Sequence, residues 1–344
     1  MTKASKVTSF DIAYQAGLSQ STVSRALNNS PLVNRETRLK VQRIARELNY
    51  KVDKNAANLR TQKSKTLALL LFEDVTSDDS NINPFFLQML GHITRGAAQR
   101  GYDLLVSFQK LDEDWHTEYE LSSRADGMIL LGYGDYVSYR EKLVELQKSE
   151  AHFIIWGPDI ADQPGHSLGC DNELGGYLAT HHLLDLGFRN IAFIGDISEH
   201  CPEFALRYQG YCKALKEAGL TARPELQADA MSEHQAGATA IETLLESGTR
   251  FDSLFAASDL IALDAIKAMR KKGFRVPVDF GVVGFDDIPA ASYTNPALTT
   301  ISQDTAVAGQ MLVDHLIRLI DGEAVESTLI APKLVERGST KRVE

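Results

Sequence analysis

Residues 7–28 read "VTSFDIAYQAGLSQSTVSRALN", and this stretch decides the architecture of the front of the chain. Two short helical patterns lie in it, separated by a glycine. Thr8, followed three residues later by Asp11, makes a capping-box-like start, and Ile12, Ala13 and Ala16 share one helix face. Gly17 ends that helix. Ser19 is a good N-cap for a second helix from about Gln20 to Asn28, with Val23, Ala26 and Leu27 turned inward. Downstream, "LVNRETRLKVQRIARELNY" (32–50) predicts a third helix, capped by Asn34, with Val41, Ile44, Ala45 and Leu48 at i, i+3, i+4 and i+7. Together they form a three-helix bundle with a helix-turn-helix at its front.

The outward positions of the second helix are Gln20, Ser21, Thr22, Ser24 and Arg25. Short hydrogen-bonding side chains and one guanidinium suit a major groove, where base edges must be approached closely. Charge points the same way. Residues 1–65 hold 13 Lys and Arg against 4 Asp and Glu, a net of +9, so a total of −10 leaves −19 on the other 279 residues. A cationic head on an anionic body is what a phosphate-binding module looks like, because the body repels nucleic acid and leaves the head to engage it.

With Tyr50 and the later "AANLRT" (56–61), the stretch 7–28 closely resembles the N-terminus of the lactose repressor/galactose repressor (LacI/GalR) family of bacterial transcription regulators. The resemblance extends across nearly the whole chain. It implies that Gln20, Ser21 and Arg25 contact operator DNA while Thr8, Thr22, Ser24 and Asn28 help hold its backbone. It also implies that "DKNAANLRTQK" (53–63) is a hinge helix pairing across a dimer in the central minor groove. There Leu59 would wedge a base step open, with Ala56 and Arg60 on the same DNA-contacting segment. Alone, so short a helix is marginal in water.

From about Thr66 apolar runs alternate with helical stretches: "TLALLLF" (66–72), "YDLLVSF" (102–108), "ADGMILL" (125–131), "AHFIIWG" (151–157), "NIAFIGD" (190–196), "SLFAASD" (253–259) and "FGVVGFDD" (280–287). These predict strands buried on both faces of two doubly wound parallel sheets. "GCDNELGG" (169–176) reads as the crossing from one sheet to the other and "PALTTISQD" (296–304) as the return. The expected domains are a DNA-binding head, 1–52, a hinge, 53–65, and an α/β body of periplasmic-binding-protein type, 66–344. Within the body, one subdomain takes 66–169 and 299–331, the other 170–298 and 332–344.

Ligands of doubly wound sheets sit at the carboxyl ends of the strands. Trp156, Ser258, Asp259, Asp286 and Asp287 all follow predicted strands, and Arg207 opens the helix "RYQGYCKAL". A guanidinium, carboxylates and aromatic faces suit a polyhydroxyl ring. The family resemblance singles out Arg207 and Asp286 as effector ligands, "NPFF" (Asn83, Phe85, Phe86) as the opposite wall, Trp156 as a pocket aromatic, and Ser258 and Gln303 as edge positions. It implies a dimeric repressor of carbohydrate-use genes, controlled by a sugar, or alternatively by a nucleobase or other metabolite.

Other classes fit poorly. No apolar run approaches the ~18 residues of a membrane span, and the start lacks a secretory signal, so a bacterial cytoplasmic protein is expected. The absent signal and the basic head argue against a sugar-binding transport protein. Cys170, Cys201 and Cys212 have no metal-like spacing. "GHSLG" (165–169) fits the G-x-S-x-G pattern, but Ser167 follows a loop with two prolines rather than a strand–turn–helix elbow. There is no phosphate loop and no His-Glu-x-x-His helix, and His181 and His182 would point apart on a helix. Neither enzyme activity, metal nor cofactor is expected. The twelve residues after Pro332 are too short for a tetramerising heptad helix, which favours a dimer.

Overall fold

Short local signals build the first unit. Thr8 donates both its backbone N–H and its hydroxyl to the Asp11 carboxylate (2.7 and 2.8 Å), starting α1 (Ser9–Ala16). Gly17 turns left-handed at φ 66°, a conformation that a side chain resists, and the Leu18 N–H closes back onto Ala13 O. The Ser19 hydroxyl accepts the Thr22 N–H and begins α2 (Gln20–Leu27). Asn34 Oδ1 accepts the Thr37 N–H at 2.8 Å and begins α3 (Arg35–Glu47). Ile12, Ala16, Val23, Ala26, Val41 and Ile44 form the bundle core, with Leu27, Leu48 and Tyr50 packed at its margin.

The protein, a computed structural model, is described over residues 7–27, 29–50, 63–72, 82–109, 113–132, 135–232 and 235–341. It divides into two units, Met1–Ser64 and Lys65–Glu344. Asn28 and the hinge residues Ala56, Leu59 and Arg60 lie outside the described residues.

The second unit holds two six-stranded sheets. In the first, β1 (Thr66–Phe72) lies between β2 (Asp103–Gln109) and β3 (Met128–Leu131), followed by β4 (Phe153–Trp156), β5 (His166–Cys170) and, at the edge, β11 (Thr328–Ile330), all parallel. Alternation explains the unbroken apolar runs. Leu67, Leu69 and Leu71 of β1 join a core with α4 (Pro84–Gln99) and α11 (Thr305–Ile320), whereas Ala68 and Leu70 face Tyr139 and Leu143 of α5 (Tyr136–Lys148). Burial on both faces leaves no polar positions.

The second sheet is ordered β12 (Lys333–Val335), β10 (Thr299–Ser302), β9 (Gly281–Asp286), β8 (Ser253–Ala256), β6 (Ile191–Ile194), β7 (Gln227–Ala228). Its neighbours are parallel except β10 with β12. It carries α6 (Asn172–Asp185), α7 (Pro202–Glu217), α8 (Ala236–Glu246), α9 (Asp259–Lys271) and the short α10 (Pro289–Tyr293).

The chain crosses between sheets three times. The first crossing falls in "GCDNELGG", where Asp171 follows β5 and caps α6 through the Leu174 N–H. The second differs from the expected boundary at 299. Thr299–Ser302 pairs with β9 in the second sheet, and the crossing follows at Gln303–Asp304, where Asp304 caps α11. "TTIS" has the apolar-polar mixture of either sheet, so only its partner decides its place. The third crossing lies between β11 and β12. β5, β7, β11 and β12 were not among the seven strands read from apolar runs; they are short, and β7, β11 and β12 are only partly buried, with no periodicity to mark them.

Candidate functional site

Two groups of candidate residues are placed, one on each unit. On the head, Gln20, Ser21 and Arg25 are exposed and Thr22 and Ser24 half-buried along α2. Several are already engaged locally. Ser19 Oγ bonds with both Ser21 Oγ and Thr22 Oγ1, and Gln20 Nε2 reaches Ser9 Oγ at 3.3 Å. Thr8 is held in its capping box. The exposed Arg25 side chain makes no hydrogen bond or ion pair among the described residues, so its planar fork is available to an external acceptor. Not all of the head's cations are. Lys40 Nζ bonds Ala16 O at the end of α1, and Arg38 bonds Ser30 O and Val33 O. The net charge of the stretch therefore overstates what faces outward.

In the body, Arg207 is fully buried on the second turn of α7. Its Nε donates to Asn172 Oδ1 (2.8 Å) and its Nη1 to Ala257 O, while Phe285 lies under the guanidinium at 3.7 Å. Close helix packing fixes it there: a Cβ on Gly176 would stand 2.0 Å from Arg207 O, and one on Gly210 2.0 Å from Glu173 O. The glycines of α6 and α7 thus let the two backbones touch.

Asp286 ends β9 with its carboxylate 3.7 Å from Arg207 Nη1, and Gln303 Nε2 donates to its Oδ1 at 2.7 Å. Its Oδ2 is buried without a partner. Asp286 and Asp287 both hold positive φ (115° and 57°), a conformation that side chains resist. Burial pushes the Asp286 carboxyl up to about 7, against the pull of Arg207 and Gln303. Asp259, buried at the start of α9, accepts from Thr300 Oγ1 and the Ile288 N–H; burial and then the Asp286 charge push it well above the carboxylate range.

Asp286, Gln303 and Gln88 of α4 line a cavity of about 310 Å³ together with residues of the second and third crossings. The aromatic candidates gather too: Phe85 packs edge-on to Phe86 (5.3 Å) and 6.0 Å from Trp156. Asn83 caps α4, its Oδ1 accepting the Phe85 N–H. Ser258 is fully buried, caps α9 through the Ile261 N–H and accepts the Ser232 hydroxyl. Its role in the fold is that of a cap.

Sequence reasoning missed Asn172, Gln88 and the two contact glycines. Gln88 carries a usable signal, lying three residues after Phe85 on one helix face. Asn172 carries none, because its partner is 35 residues away. Ser167 sits within β5, nearly fully buried, which is no nucleophile elbow. His182 faces inward to Thr340 and His181 outward to Asp185. Among the described residues no cluster of three or more His, Cys, Asp or Glu could hold a metal, and no helix is long and apolar enough to cross a membrane.

Residues 10–53 match the family described as "Bacterial regulatory proteins, lacI family", and residues 180–340 match a periplasmic binding protein-like domain. The chain is 33% identical to the HTH-type transcriptional regulator RegA of Clostridium saccharobutylicum, covering 96% of this chain and 98% of that one. It is 31% identical to the ribose operon repressor of Escherichia coli K12 and 30% to the HTH-type transcriptional repressor PurR of Pasteurella multocida, each over 96% of this chain and 98% of the relative. A solved structure of the lac repressor dimer bound to operator and the anti-inducer ONPF superposes with a TM-score of 0.81, at 28% identity over 97% of this chain and 99% of that one. With an exposed polar helix face on a helix-turn-helix and a buried polar cluster at strand ends, the chain belongs to the LacI family of bacterial regulatory proteins and is a DNA-binding transcriptional repressor of that kind, not an enzyme.

Proposed function

We propose that the protein represses carbohydrate-use genes as a homodimer, with α2 of each copy in one half-site of a near-palindromic operator and a sugar effector bound between the body's subdomains. Head, hinge and body are assigned to 1–52, 53–65 and 66–344. The assigned DNA contacts are Gln20, Ser21 and Arg25, with Thr8, Thr22 and Ser24 on the backbone. Asn28, Ala56, Leu59 and Arg60 rest on the family resemblance alone. The assigned effector ligands are Arg207, Asp286 and Gln303 against a wall of Asn83, Phe85, Phe86 and Trp156, with Ser258 at the edge.

The observation that carries the effector site is the buried, unpartnered Oδ2 of Asp286 beside Arg207, lining a cavity of monosaccharide size. A buried oxygen without a partner costs about 1–3 kcal/mol, which a ligand hydroxyl would recover. The ribose operon repressor among the relatives supports a sugar. A flat nucleobase is the second reading, favoured by the Phe85–Phe86–Trp156 aromatic group.

A thermal-shift screen of sugars, sugar phosphates and nucleobases separates the two, since only the correct class raises Tm. Retardation of the gene's own upstream DNA at low salt tests the regulator. Arg25→Ala is expected to weaken that binding roughly 10- to 100-fold, the worth of one bidentate base contact. Unchanged affinity would remove α2 as the reading helix.

A further inference from the structure

The turn that ends β9 is held in a conformation its own residues resist. Asp286 and Asp287 stand one after the other at φ 115° and 57°, and the first lies outside even the left-handed well that aspartate sometimes visits. Such residues persist only where their surroundings over-determine them. Three side chains grip this turn from three directions. Gln303 donates to Asp286 Oδ1 at 2.7 Å, Asp259 Oδ2 accepts the Ile288 N–H at 2.9 Å, and Arg337 Nη2 donates to Asp287 Oδ1 at 2.6 Å. The first two belong to the polar cluster at the strand ends; the third comes from the segment after β12.

That segment is stitched to the second sheet as a strap. β12 pairs with β10; beyond it the Gly338 N–H bonds Ala297 O (2.9 Å), Ser339 Oγ accepts the Thr299 N–H (2.8 Å) and donates to Val282 O (2.6 Å), and the Ser339 carbonyl accepts the Val282 N–H (2.9 Å). Arg337 sits among these stitches. Its backbone N–H reaches Thr299 Oγ1 (2.9 Å) and its Nη1 reaches Leu298 O (2.8 Å), so one arm of the guanidinium is anchored while the other meets Asp287. A rigid fork can span two acceptors in this way, whereas a lysine would bring a point charge on a flexible stem. With side chains 19% and 24% exposed, the pair is shielded from the screening that weakens ion pairs in open solvent.

We propose that Arg337 is a positioning residue for the cavity at Asp286, clamping the Asp286–Asp287 turn so that Asp286 Oδ2 stays buried at the cavity wall. This role rests on the reading of Asp286 as an effector ligand. Arg337 does not itself line the cavity; it acts through Asp287, which does. Without the clamp the turn relaxes toward negative φ, and the Asp286 carboxylate leaves its buried place beside Arg207 and meets water.

Urea unfolding of the full chain at a series of pH values, followed by tryptophan fluorescence, tests the clamp. Asp286→Asn is expected to lessen the dependence of the unfolding constant on pH, by up to about ten-fold per pH unit for one buried proton. In an Arg337→Gln background the same substitution changes that dependence by less than half as much, because the carboxyl is already in water. An arginine that only stabilises the fold would shift every curve and leave the two effects of Asp286→Asn equal. Equal effects in both backgrounds therefore overturn the clamp, as does no effect in either. Arg337→Lys, which keeps a cation beside Asp287, takes the place of Arg337→Gln in the same comparison should the latter not fold. Calorimetric titration with D-ribose reads the consequence for binding: Arg337→Gln weakens it roughly ten-fold, and an unchanged affinity overturns the positioning role. Absence of ribose binding, or an affinity that Asp286→Asn leaves alone, removes instead the reading of Asp286 as a sugar ligand, and the pH slopes still decide the clamp.

Discussion

The face of α2 and the cavity at Asp286, backed by the buried Arg207, are both candidate binding surfaces, yet they relate oppositely to the structure that carries them. On α2 the assigned side chains are exposed or half-buried, and the fold beneath them is held by other residues: Ser19, Asn34, Gly17 and an apolar core. In the body Arg207, Asp286, Gln303 and Ser258 are themselves buried, and they bond to one another or to the backbone. Binding and stability are separable in the head and merged in the body. A helix laid in a groove needs a presented surface, whereas an enclosed ligand needs polar groups that the fold must bury in advance.

The strongest way to break this contrast is Arg207→Ala. Removing one partner of a buried ion pair leaves Asp286 without its cation, and a loss of about 3–5 kcal/mol is expected. Urea unfolding followed by tryptophan fluorescence measures it cleanly, because Trp115 and Trp156, the two tryptophans of the chain, both lie in the body. Arg25→Ala should leave the same curve unmoved. If both variants unfold like the unaltered protein, the pocket arginine is no part of the framework and the contrast fails.

A smaller effect sharpens it. The folded-state pKa of Asp286, about 7, lies above the ordinary carboxylate value, so between roughly pH 4 and pH 7 the native state holds a proton that the unfolded chain has lost. Stability then falls as pH rises through that window, by ~1.4 kcal/mol per pH unit for one such group, and is level above it. Asp259 and Glu203, also raised by burial, act in the same direction. Asp286→Asn is expected to lessen the slope of body stability against pH, measured by urea unfolding at a series of pH values. An unchanged slope would mean that Asp286 does not hold that proton.

The same contrast explains what could be read in advance. The caps Thr8–Asp11, Ser19 and Asn34 act over three residues, so their pattern was visible in the sequence and all three helices of the head followed from it. The apolar strands β1, β3, β4, β6, β8 and β9 were visible because both of their faces are covered, whereas β2, at a sheet edge, leaves Val106 and Phe108 exposed, against the expectation of burial on both faces. The place of Thr299–Ser302 was not, because its sheet is chosen by pairing with β9. Arg207 and Asp286 could be singled out through the family resemblance, but neither the orphaned Oδ2 nor the bond from Arg207 to Asn172 has a local signature.

The smallest expected effect tests the head's side of the comparison. Asn34 caps α3, away from the α2 face, through one bond to the Thr37 N–H. Asn34→Ala should cost about 1 kcal/mol of head stability, typical of a lost N-cap. Hydrogen exchange of the buried α3 amides, at Val41, Ile44 and Ala45, would then quicken roughly five-fold where they exchange through unfolding of the head. DNA affinity should change much less than two-fold, because a domain with several kcal/mol of stability remains almost wholly folded after losing one. A ten-fold loss of affinity would show that α3 capping positions the reading helix, and the head would then couple binding to its framework just as the body does.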